Sequence, residues 1–141
     1  MSFDGPRHLF VYGTLMSSAE GTLGAAERRR LQSAATAVGP ATVHGLLYDL
    51  GGYPGLVLTD EAGPLVHGEL VELNDPAAAF SWLDPYEDVS PVAQPSDLYR
   101  RVATTAVTAA GERVSCWVYE MHGSMHGHAI PPGGRWLGSG R

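Results

Sequence analysis

The sequence predicts an α+β or barrel-like fold, and three observations point to it. Strand-length apolar runs recur along the chain, only two stretches have helical character, and turn residues are abundant, with 18 glycines and 10 prolines in 141 residues. Gly45 and Gly68 both fall inside strand patterns, where a missing side chain marks a bend or the close approach of another backbone. Bends of that kind let a sheet curl around a cavity. A chain of this length is expected to form one domain over residues 1–141, with a polar leader at 1–7 and a Gly-, Pro- and His-rich tail at 122–141.

The first strand is expected over residues 9–12, where Leu9, Phe10, Val11 and Tyr12 show no polar alternation, so both faces should be covered. Residues 17–21 read as a loop and 23–37 as a weak helix rich in Ala and Arg. An extended segment at 36–43 is interrupted by Gly39-Pro40, and a clearer strand follows at 43–50. Turn residues at 51–55 and 60–64 bracket a short strand at 56–58, and the next strand runs over 65–73. Asn74 is a candidate N-cap, with Pro76 in the first turn of a helix that carries 77–83 and stops near Asp84-Pro85. After a turn-rich connection at 87–97, residues 99–109 and 113–119 form a β-hairpin about Ala110-Gly111-Glu112.

Composition narrows the function. Hydrophobic residues make up 44% of the chain and charged ones 17%, which suits a packed core. A net charge of -6 leaves no basic excess to neutralise phosphates, so nucleic acid is excluded as a partner, and Arg28-Arg29-Arg30 reads as a solvated face. Cys116 is the only cysteine, so no intrachain disulfide can form; a reducing compartment and a buried inert thiol follow. No apolar segment is long enough to cross a bilayer and none resembles a signal peptide, so a cytoplasmic protein without membrane contact is expected. Nothing in the sequence specifies its oligomeric state.

Two stretches carry chemistry. The first strand stops at Gly13, and unpaired N–H groups beyond such a glycine make a ready anion site; a plain buried strand and turn fits the same residues. In Leu83-Asp84-Pro85-Tyr86-Glu87-Asp88, three acids flank an aromatic ring at a helix end. They form either a solvated acidic turn or a carboxylate held in a cavity, its pKa raised so that it takes and gives a proton near neutrality. His122, His126 and His128 have no acid or thiolate beside them, so a metal site is not expected, and a flexible loop over the cavity is the better reading.

Taken together, Tyr12-Gly13-Thr14-Leu15, Gly68-Glu69-Leu70, Leu83-Asp84-Pro85-Tyr86-Glu87, Tyr99-Arg100-Arg101-Val102 and Trp117-Val118-Tyr119 resemble, in order, the gamma-glutamylcyclotransferase-like family. The first motif is closer to its AIG2-like, gamma-glutamylamine cyclotransferase branch. The resemblance implies a small mixed sheet closed into a barrel-like body, with a cavity at one end. It also implies a γ-glutamyl substrate whose α-amine attacks its own γ-carbonyl, releasing 5-oxoproline and an amine or amino acid without cofactor or metal. Glu87 matches the family's catalytic glutamate. Tyr12, Gly13, Thr14 and Leu15 match its carboxylate-binding turn, and Tyr119 and Tyr99 its pocket wall. Glu69 reads as structural or rim-exposed. This chain departs from the family pattern at Asp88, where glycine is common, after Met16, and at Arg135, where an acid is usual. A non-catalytic module that binds a small carboxylate or γ-glutamyl ligand is the alternative.

Overall fold

The computed structural model describes residues 5–12, 25–49, 54–87, 89, 99–121 and 128–129. Along the chain these form β1 (His8–Val11), α1 (Ala25–Ala34), β2 (Ala35–Asp49), β3 (Pro54–Leu58), β4 (Leu65–Leu73), α2 (Pro76–Tyr86), β5 (Tyr99–Thr108), β6 (Arg113–Met121) and β7 (His128–Ala129). The strand order β2-β4-β1-β6-β5 returns to β2 through Ala41 opposite Thr108 and Thr42 opposite Val107, so five strands close on themselves. Every pair in that ring is antiparallel except β1 with β6, which run parallel with Leu9 opposite Trp117. The sheet is therefore mixed and curled into a barrel, as the resemblance implies. β3 and β7 add to the far half of β2, at 45–49 and 48–49.

The unbroken apolar run of β1 has a direct structural consequence. Phe10 and Tyr12 join a core inside the barrel with Ala41, Val43, Val66, Leu70, Ala106, Cys116 and Val118. Leu9 and Val11 face the other way, into a second core with Leu31 of α1 and Ala79, Phe80 and Leu83 of α2. One strand thus separates two hydrophobic layers, which explains its lack of polar alternation. Gly68 on β4 makes this packing possible. A Cβ there would overlap the Val11 carbonyl oxygen and stand 2.6 Å from Phe10 Cζ, so the ring occupies the space a side chain would take.

Several expectations are corrected. The segments at 36–43 and 43–50 belong to one strand, β2, rather than two. Its register shifts between Ala37 and Gly39, where Gly39 adopts φ +129, so the Gly-Pro pair bends the strand through a bulge without ending it. The N-cap of α2 is Asp75, not Asn74: its carboxylate accepts from the Ala78 N–H at 3.2 Å. The helix also continues past Asp84-Pro85 to Tyr86. Pro85 cannot donate to the Ser81 carbonyl, but both residues are exposed, so water can satisfy that group at little cost. Part of the tail is ordered as β7, with Ala129 opposite Tyr48.

The loop expected at 51–55 is corrected at its end, where residues 54–55 already belong to β3; its residues 51–53, the loop at 17–21, most of the 87–97 connection, His122, His126 and the rest of the tail lie outside the described residues. Among the described residues, no helix is long and apolar enough to cross a membrane, and no group of three or more His, Cys, Asp or Glu could hold a metal. Of the Arg28–Arg30 cluster, Arg30 lies over the Trp82 ring at 4.6 Å and so ties α1 to α2. Cys116 is fully buried, and burial, opposed by a backbone hydrogen bond with Ala106, pushes its thiol up to about 12. A thiol reagent at pH 7.5 is expected to leave it untouched until denaturant unfolds the barrel. Mass spectrometry of the labelled protein reads this directly, and fast labelling of the folded chain would contradict it.

Candidate functional site

α2 presents two neighbouring polar groups to the barrel from its last turn. Ala79, Phe80 and Leu83 bury its apolar face, which turns Asp84, one turn beyond Phe80, toward β5 and β6. Glu87 caps the C-terminus, its N–H bonding the Leu83 carbonyl at 2.9 Å. The chain then folds back, with the Val89 N–H on the Asp84 carbonyl at 2.8 Å. Backbone hydrogen bonds on both sides therefore fix where the Glu87 side chain starts.

The β5–β6 hairpin supplies the facing wall. Its register sets Arg101 opposite Tyr119 and Ala103 opposite Trp117. Arg101 bonds Asp84 with both arms of its fork, Nε to Oδ1 at 3.0 Å and a terminal nitrogen to Oδ2 at 3.3 Å. The Tyr119 hydroxyl donates to Asp84 Oδ1 at 2.6 Å. The guanidinium stacks on Phe80 at 3.9 Å and on Trp117 at 4.7 Å, and those two rings meet edge to face. One helix face thus holds Arg101 twice, by charge through Asp84 and by its π surface through Phe80.

Tyr12 closes the site from the end of β1. Its hydroxyl donates to the Tyr119 carbonyl at 2.5 Å and accepts from the Leu56 N–H at 3.3 Å. Nearby, the Leu58 N–H is taken by Glu120 Oε2 at 2.9 Å. Side chains, not a strand ladder, therefore join β3 to β6 at this end of the barrel. Removing the hydroxyl in Tyr12→Phe leaves two buried backbone groups without that partner. The fold is expected to lose about 2 kcal/mol in urea unfolding; a loss below about 0.5 kcal/mol would mean water replaces it.

The electrostatics concentrate on Glu87. Burial, and then the nearby Asp84 carboxylate, push its carboxyl up from the ordinary value to about 7. The carbonyl end of α2 acts in the same sense. Tyr119 is driven far above the usual phenol value by burial and by its bond to Asp84, with Glu87 adding to the effect. Tyr12 is raised by burial, with Tyr99, Glu87 and Glu120 contributing. Glu87, Tyr12, Tyr99 and Tyr119 therefore share one electrostatic neighbourhood. A carboxyl that titrates near neutrality in such a place can accept a proton and return it.

Of the residues singled out from sequence, the structure brings Glu87, Tyr12, Tyr99 and Tyr119 together, while Gly13, Thr14 and Leu15 lie outside the described residues, as does Asp88. A groove of about 250 Å³ between β2, β4 and β5 is lined by Thr42, His67 and Val107, among others, and includes none of these side chains. Sequence reading gave no role to Asp84 or Arg101. The 110–112 turn expected from sequence would set Ala103 opposite Tyr119; the observed register, with Val107 opposite Arg113, puts Arg101 there instead.

The sequence profile of the family described as Gamma-glutamyl cyclotransferase, AIG2-like matches residues 9–138. No curated protein matches the chain. Among solved structures, YkqA from Bacillus subtilis superposes with a TM-score of 0.61 at 21% identity, covering 89% of this chain and 38% of that protein. The chain thus spans well under half the length of that relative. An AIG2-like protein from Mus musculus superposes with a TM-score of 0.60 at 24% identity, covering 93% of this chain and 99% of its own. A structure named gamma-glutamyl cyclotransferase gives 0.58 at 19% identity, covering 89% and 70%. These superpositions establish a shared fold, and the profile spans most of the chain. The protein is a member of the gamma-glutamyl cyclotransferase, AIG2-like family.

Proposed function

We propose that the protein is a γ-glutamyl cyclotransferase-like enzyme in which Glu87 carries the protons. The substrate is a small molecule with a free γ-glutamyl group. Its α-nitrogen attacks its own γ-carbonyl carbon, so that the new C–N bond closes a five-membered lactam while the bond to the departing nitrogen breaks. The α-ammonium gives up two protons on becoming the lactam N–H, one to free its lone pair and one on attack; Glu87 relays them in turn to the leaving nitrogen, which departs as an amine and ends as an ammonium. The products are 5-oxoproline and a free amine or amino acid, and no oxidant, reductant or water is consumed. Nucleophile and electrophile are already tethered, so holding them in the attacking geometry supplies much of the rate.

The observation that carries this reading is the Glu87 carboxyl, fixed at the helix end beside Tyr12 and Tyr119 and titrating at about 7. Gly13, Thr14 and Leu15, which follow directly on Tyr12, are assigned to the substrate α-carboxylate through their backbone N–H groups. Tyr99 and Tyr119 are assigned to the pocket wall. The test is incubation with a panel of γ-glutamyl amines and γ-glutamyl amino acids, with 5-oxoproline and released amine followed by mass spectrometry. The expected result is equal amounts of both from at least one substrate class. Saturable binding without product would instead make the protein a ligand-binding module.

A further inference from the structure

Asp84 and Arg101 meet each other, Tyr119 and two aromatic rings, yet the reaction above gives neither a step. Asp84 Oδ1 receives both the Arg101 Nε at 3.0 Å and the Tyr119 hydroxyl at 2.6 Å. A phenol that spends its only proton on a carboxylate has nothing but lone pairs to offer elsewhere. Tyr119 can then accept a hydrogen bond but cannot donate a second one, which suits an ammonium and not a carboxylate. The guanidinium that anchors Asp84 cannot drift, because Phe80 and Trp117 stack on it at 3.9 and 4.7 Å.

We propose that Arg101 and Asp84 are positioning residues for the γ-glutamyl reaction: together they fix the Tyr119 hydroxyl as an acceptor for the substrate α-ammonium beside Glu87. This rests on the assignment of Glu87 as proton carrier. The same pair sets the charge that Glu87 meets. Among the described residues, those that face it are Asp84 on α2, Tyr12 at the end of β1, and Tyr119 on β6; Arg101 on β5 acts through Asp84, and Tyr99 and Glu120 act through Tyr12.

The two members of the pair have opposite signs, so their loss is expected to move Glu87 in opposite directions. Asp84→Asn removes a repelling carboxylate and leaves the Arg101 cation unpaired, lowering the Glu87 titration by about one pH unit. Arg101→Met leaves the Asp84 charge uncompensated and raises it. Both should lower kcat by about tenfold to hundredfold, through misplacement of the reacting groups. Arg101→Lys keeps the charge but not the fork or the stacking, so the titration stays near its native position while kcat still falls.

The experiment is a ¹³C-carboxyl NMR titration of the full chain without substrate, with Glu87 assigned by the resonance missing in Glu87→Gln. Opposite shifts in Asp84→Asn and Arg101→Met support the pair. Shifts in the same direction, or none, in variants that keep the native far-UV spectrum would overturn it, since a pair that did not set the field at Glu87 would leave its titration unmoved. Should Arg101→Met fail to fold, a lowered titration in Asp84→Asn against an unmoved one in Arg101→Lys carries the same contrast, and its absence overturns the proposal. The readout needs no turnover and so separates the two claims. Opposite shifts without any 5-oxoproline would count against the reaction, whereas 5-oxoproline with parallel shifts would count against the pair.

Discussion

Glu87→Gln is expected to make the protein more stable above neutrality, by up to about 3 kcal/mol at pH 8, while leaving its stability at pH 4 almost unchanged. The sign follows from the two ionisations. In the unfolded chain the carboxyl loses its proton near the ordinary glutamate value, whereas in the folded protein it holds it up to about 7. Between those values the native state binds the extra proton, so stability falls as pH rises, at about 1.4 kcal/mol per pH unit. Above the folded value both states are ionised, and the native state bears the full cost of a desolvated carboxylate beside Asp84. Glutamine has the same shape and no charge, so this slope disappears. Urea unfolding of both proteins from pH 4 to 8 measures the difference. A constant gap across that range would mean that Glu87 titrates as an ordinary exposed glutamate.

Gly68→Ala is expected to cost about 3 kcal/mol or more, large for the addition of a single methyl group. The new Cβ would collide with the Val11 carbonyl oxygen and with Phe10 Cζ at 2.6 Å. A flexible side chain could yield, but the carbonyl belongs to β1, which is paired with β4 through Phe10–Leu70 and Val11–Glu69 and with β6 through Leu9–Trp117. Relief therefore requires β1 to separate from β4, and β1 leads straight into Tyr12. Thermal unfolding should show a fall of roughly 10 °C or more. A change within a degree or two would mean that the barrel wall has slack the packing does not suggest. Ala79→Gly on α2 adds no atoms and is a useful contrast, expected to cost about 1 kcal/mol from helix propensity and a little more from lost packing.

Much of this architecture is legible in the sequence because it depends on local patterns. The unbroken 9–12 run announces a strand with two covered faces, the 110–112 turn announces a hairpin, and a glycine within the 65–73 strand announces a close neighbour. The readings that failed depend on partners a local pattern does not contain. Gly39-Pro40 looks like a break in the strand, but pairing with β4 on both sides of the bulge carries β2 through it. Asp84-Pro85 looks like a helix stop, but burial of Phe80 and Leu83, and exposure where Pro85 forfeits its bond, let the helix reach Tyr86. That extra turn matters for the site. It sets Asp84 and Glu87 on one rigid end instead of along a loose connection.

The site was legible in part for the same reason. Glu87, the tyrosines, Asp84 and Arg101 all stand in short motifs that can be recognised in order, but the Asp84–Arg101 contact joins α2 to β5 across an intervening connection. Neither residue carries a local mark of its partner. The geometry also alters the weight given to Tyr12. Its hydroxyl bridges Tyr119 O and Leu56 N, so this side chain belongs to the barrel wall as well as directly preceding Gly13 in the sequence.

The central claim is that Glu87 moves the protons of γ-glutamyl cyclisation, and its most direct test is 5-oxoproline release by the native protein and Glu87→Gln, measured from pH 5 to 9 on a γ-glutamyl amine. The native protein should form product with kcat/KM rising through an ionisation at about 7, matching the raised carboxyl. Glu87→Gln, folded and at least as stable, should be slower by about a hundredfold or more at every pH. Product formed at the native rate by Glu87→Gln would contradict the account.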